Sequence, residues 1–77
     1  MSGYSLSLAF ANKKASAKSL GVALGRVCIQ KSISVREVAE YFGISRQAVY
    51  DWFKGDSVPD SSWHTLIEKY IANLKKK

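Results

Sequence analysis

Between Val35 and Lys54 two short amphipathic patterns of helical period follow one another with only Gly43, Ile44 and Ser45 between them. So brief a connection leaves no room for a loop, and the two helices must cross steeply and touch close to the turn. The residues meet the demands of such a crossing. Val38 and Phe42, four apart, form the inner face of a helix over Val35 to Phe42, and Arg36, Glu37 and Glu40 look outward. Ala39 stands where a larger side chain would hold the helices apart, Ile44 can plug the gap, and Gly43 supplies the reversal at positive φ. Ser34 and Ser45 are placed as N-caps, and Gly55 as the C-terminal cap of the second helix, Arg46 to Lys54.

That second helix separates its faces completely. Ala48, Val49, Trp52 and Phe53 occupy one arc of roughly 140° at 100° per residue, and Arg46, Gln47, Tyr50, Asp51 and Lys54 occupy another. Before it, Ala17, Leu20, Leu24, Val27 and Cys28 predict a helix from about Ser16 to Lys31, with Cys28 as a small core residue. After it, Pro59 and Asp60 announce a last helix whose stripe is Trp63, Leu66, Ile67, Tyr70, Ile71 and Leu74. Tyr4, Leu6, Leu8 and Phe10 alternate in the period of a strand. Residues 1–14 are therefore read as an N-terminal arm, either loosely ordered or forming a short strand or extra turn against the body or a second subunit. Residues 15–77 form the domain proper. The expected fold is a compact all-α bundle of four to five short helices with a partly ordered N-terminal arm.

The motif resembles the helix-turn-helix of the lambda-repressor-like family, in particular the short Cro-type phage regulators. Val38, Ala39, Phe42, Gly43, Ile44, Val49 and Trp52 carry the resemblance, together with the run Ala48 to Trp52 followed by Val58, Pro59 and Asp60. It extends over about Ser16 to Leu74. The resemblance implies sequence-specific binding of a double-stranded DNA operator, commonly as a homodimer on half-sites about 34 Å apart, with transcriptional repression as the outcome. By position it assigns Ser45, Arg46, Gln47 and Tyr50 to base contacts. Arg46 suits guanine and Gln47 adenine, each contact worth roughly 1 to 3 kcal/mol of discrimination. Two departures stand out: Val35 offers only its backbone N–H where relatives hold a phosphate, which passes that contact to Ser34 or Arg36, and Asp56 beside Lys54 weakens phosphate anchoring at that edge.

Charge agrees with a nucleic-acid partner but is unevenly placed. Twelve Lys and Arg against six Asp and Glu give a net charge of +6, yet from Ser34 to Asp60 three basic residues face five acidic ones. The surplus lies in the flanks, at Lys13, Lys14 and Lys18 and at Lys75, Lys76 and Lys77. Lys13, Lys14, Ser34, Arg36 and Lys54 are the candidate phosphate contacts, the flanks adding salt-sensitive attraction while the motif chooses the sequence. The terminal lysines have a plainer alternative as solvated tails. Asp51 on the reading face can accept from cytosine, filter wrong sequences, or salt-bridge to a neighbouring side chain.

Other classes find little support. One cysteine excludes an intrachain disulfide and multi-cysteine zinc sites, and His64 has no ligand partners in metal spacing. No nucleophile and base are set out for catalysis, no glycine-rich phosphate loop appears, and no apolar run reaches the roughly 20 residues of a membrane span. The expectation is a non-enzymatic protein of the bacterial cytoplasm without metal, cofactor, small-molecule substrate or membrane partner. Val22 and Ile29 of the first helix, or Tyr4 to Phe10, are the candidate dimer contacts. The competing function is that of an adaptor or assembly module in a nucleoprotein complex.

Overall fold

The computed structural model describes residues 6–15 and 19–76. Over these residues the chain runs through α1 (Leu6–Lys14), α2 (Leu20–Gln30), α3 (Val35–Phe42), α4 (Arg46–Lys54) and, after a 3₁₀ turn at Ser61–Trp63, α5 (His64–Lys75). No strand occurs among them.

Of the alternatives for Tyr4 to Phe10, the described part from Leu6 onward is helical, which corrects the strand and agrees with an extra turn packed on the body. Leu8 is buried and Phe10 is 63% exposed. In a strand these two would share a face, whereas a separation of two in a helix turns them to nearly opposite sides. Lys14 lies over the Phe10 ring, 5.7 Å from its centre. One turn on from Leu8, Asn12 is 2% exposed and explains why this segment docks. Its Nδ2 donates to the carbonyl of Val22, 3.0 Å, and to that of Phe53, 2.8 Å, the latter among the last four carbonyls of α4 that have no partner within their own helix.

Arg26 of α2 closes the other end of α1. Its Nη2 donates to the carbonyls of Asn12 at 3.3 Å, Lys13 at 3.1 Å and Ala15 at 2.9 Å, setting a cation at the negative end of that helix. Val22, beside Gly55, is fully buried, which corrects its assignment to a dimer surface; Ile29 is half-buried. Ser16, Ala17 and Lys18 lie outside the described residues, and α2 begins after Ser19.

Helices α2 and α4 lie close because Gly21 and Gly25 face the latter. A Cβ on Gly21 would sit 2.9 Å from Trp52 Cβ, and one on Gly25 would sit 2.6 Å from Asn12 Nδ2 and 2.8 Å from Phe53 Cγ. A glycine within a helix costs about 1 kcal/mol relative to alanine. Here it admits the fully buried ring of Phe53.

The core joins Leu24, Val27 and Cys28 of α2 to Val38 and Phe42 of α3, Val49 and Phe53 of α4, and Ile67 and Leu74 of α5. Phe42 packs edge-on to Trp52, Trp63 and Tyr70, with ring centres 5.9, 5.9 and 5.4 Å away. Trp52 and Trp63 are thus packing anchors. The last helix follows its expected stripe except at Leu66, which is 45% exposed. Its start is also later than Pro59: Asp60 accepts from Ser61 N at 2.8 Å to open the 3₁₀ turn, and α5 proper begins at His64.

Candidate nucleic-acid interface

Local chemistry fixes the turn between α3 and α4. Ser34 Oγ accepts from Glu37 N at 3.1 Å and opens α3, and Gly43 closes it in the left-handed conformation, φ +68°. The N–H of Ile44 then bonds back to the Ala39 carbonyl at 3.0 Å. Ser45 Oγ accepts from Ala48 N at 3.1 Å, so α4 starts at once. Gly55, φ +82°, ends it.

With Val49, Trp52 and Phe53 buried, Arg46, Gln47 and Tyr50 stand exposed on the other side of α4, and Ser45 is exposed at its cap. Arg46 has no side-chain partner among the described residues. Its neighbour Gln47 donates from Nε2 to Asp51 Oδ1 at 3.0 Å. Lys54 ends the face and pairs with Asp56 at 3.4 Å. The four residues assigned to base contacts therefore lie together on one end of one helix.

The candidate phosphate contacts are more dispersed. Ser34 and Arg36 flank the start of α3, where Arg36 bonds Glu40 at 3.3 Å. Both partners of that pair are well exposed, so it is worth little and yields readily to a phosphate. Lys13 and Lys14 are exposed on the last turn of α1. The other end of α1 meets the reading helix, where Ser7 and Leu8 form a shallow hollow with Tyr50 and Lys54. Lys13 instead borders a groove between α1 and α2, with Ala9, Arg26, Ile29 and Gln30.

Two buried groups away from this face, Cys28 and Tyr70, hold their protons. Burial, with Glu37 adding to it, pushes the Cys28 thiol up to about 12, which keeps it protonated at neutral pH and unfit as a nucleophile. The Tyr70 phenol is likewise pushed up to about 12, chiefly by burial and further by Cys28, Glu37 and Tyr41. Its hydroxyl is buried without a hydrogen-bond partner among the described residues. No cluster of metal-ligating side chains occurs among those residues, and none of their helices is long and apolar enough to cross a membrane.

Sequence reasoning missed Asn12 and Arg26, which tie α1 to the rest. Gly21 and Gly25, four apart within an apolar stripe, were a visible sign of close helix approach. Nothing local marks Asn12 as buried.

Among known protein families, the one described as helix-turn-helix matches residues 24–62, half of the chain. No curated protein matches, and neither does a solved structure.

Proposed function

The chain belongs to the lambda-repressor-like helix-turn-helix family, whose members bind DNA sequence-specifically, and from that premise we propose that it is a Cro-like transcriptional repressor. In this reading α4 enters the major groove of a short operator and a homodimer occupies two half-sites. The observation that carries it is the sidedness of α4. Its buried arc is anchored in the core, while Arg46, Gln47 and Tyr50 project from its first turns, where a recognition helix meets base edges.

Arg46, without a competing partner, is the guanine reader, and Tyr50 meets a thymine methyl or a phosphate. The N-terminus of α3 at Ser34, together with Arg36, takes a phosphate, and Lys54 takes another by giving up Asp56. Lys13 and Lys14 add attraction that depends on salt and not on sequence.

Selection of bound sequences from a random duplex pool tests the proposal. The expected result is one recurring site made of two inverted half-sites. Arg46→Ala is then expected to lower preference at one base pair per half-site by about tenfold. A double Lys13→Ala and Lys14→Ala change weakens all duplexes alike and reduces the salt slope by about 2. A pool without enrichment contradicts the repressor and favours the adaptor.

A further inference from the structure

Resting on the reading of α4 as the DNA-reading helix, we propose that Gln47 and Asp51 act as one unit, in which Asp51 orients the Gln47 amide and restricts the base it meets to one that presents an exocyclic amino group in the major groove, adenine or cytosine.

A glutamine amide is ambivalent, since one end accepts and the other donates, and a free side chain can turn either end to a base. A carboxylate can only accept. The contact of 3.0 Å between Gln47 and Asp51 Oδ1 must therefore be made by the NH₂ end of the amide, which turns Oε1 away from Asp51. Positions 47 and 51 are one helical turn apart, so both side chains stand on the same face. The backbone beneath Asp51 is also held: its carbonyl accepts from Asp56 N at 3.0 Å and Ser57 N at 3.2 Å.

A base approaching this pair meets Oε1 of Gln47, the second carboxylate oxygen of Asp51 and one remaining N–H. Adenine N6 and cytosine N4 donate to such acceptors. Guanine O6 and thymine O4 present lone pairs to lone pairs beside a negative charge. Asp51 is in no ion pair among the described residues, so among them only the neutral Gln47 amide bonds the carboxylate. A carboxylate on a face that approaches a polyanion lowers affinity for every duplex. Its place there is understandable as a device that penalises the wrong base more than the right one.

The test repeats the random-pool selection with the unaltered protein and with Asp51→Ala, Asp51→Asn and Gln47→Ala, each checked for helical content and thermal unfolding. The unaltered protein is expected to show one position per half-site at which adenine or cytosine on the contacted strand is favoured over guanine or thymine by about tenfold. Asp51→Ala should reduce that preference to about twofold or less and leave the position read by Arg46 intact. Gln47→Ala should erase the same position, with no further loss when Asp51→Ala is added to it. Should Asp51→Ala fail to fold, the near-isosteric Asp51→Asn carries the test, because its amide can present either end and tolerates keto bases. An Asp51 variant with an unchanged profile overturns the pairing and leaves DNA reading standing, as does a preference for guanine or thymine at the Gln47-dependent position. An unaltered protein that enriches no sequence overturns DNA reading itself, and this inference with it.

Discussion

Helices α3 and α4 have both ends capped by residues beside them in sequence, whereas the end of α1 is satisfied by a side chain of α2 and the start of α2 has no side-chain cap. Ser34 and Ser45 each accept a bond from the helix they open, and Gly43 and Gly55 close the same helices with left-handed turns. Ser19 occupies the corresponding place before α2, yet its hydroxyl bonds nothing in that helix and is buried without a partner among the described residues. The end of α1 is satisfied by Arg26 from α2, and the end of α4 borrows the amide of Asn12 from α1. One pair of helices carries the function and is locally specified. The other holds it in place through contacts that exist only once the chain has folded.

That contrast can be broken from the supporting side. The largest effect is expected at Gly25, where Val would drive a side chain into Asn12 and the Phe53 ring. Overpacking of this kind costs about 3 kcal/mol, read as a lower midpoint in urea unfolding with an unchanged slope. Asn12→Ala comes next. It removes the buried bonds from Asn12 to the Val22 and Phe53 carbonyls and should cost about 2 kcal/mol by the same measurement. Sequence preference in whatever fraction remains folded should not change, because neither residue touches the reading face.

The smallest effect sharpens the comparison within the core. Cys28 and Tyr70 keep their protons in the folded protein to about pH 12, against ordinary values of 9.0 and 10.0. The unfolded chain releases them first. The stability they contribute is therefore whole below about pH 9 and is lost as the pH climbs towards 12. Tyr70→Phe removes a hydroxyl that has no hydrogen-bond partner among the described residues, so stability at pH 7 should stay within about 1 kcal/mol of the original. The alkaline decline between pH 10 and 12 should become shallower, as thermal unfolding across that range would show.

The same contrast explains what could be read before folding. The bounds of α3 and α4, the reversal at Gly43 and the exposed arc of α4 follow from caps and periodicity within a few residues of each feature. The helix over Leu6–Lys14 does not. Its alternating residues mimic a strand, and the decisive contacts of Asn12 reach positions 10 and 41 residues away in sequence. Val22 was misread for the same reason, since its carbonyl receives Asn12 of α1 and its side chain lies beside Gly55 at the end of α4. At the site itself, the exposed residues were legible from their spacing, while the Gln47–Asp51 hydrogen bond was not, since the partner expected for Asp51 within the protein was a cation and not a neutral amide.

Backbone amide shifts of the labelled protein during titration with a duplex carrying its selected site test most directly whether α4 reads DNA. The largest changes are expected at Ser45 to Tyr50, with smaller ones at Ser34 to Arg36 and little along the outer face of α5. Changes confined to α1 and the C-terminal lysines, with Arg46 and Gln47 unmoved, would contradict the account.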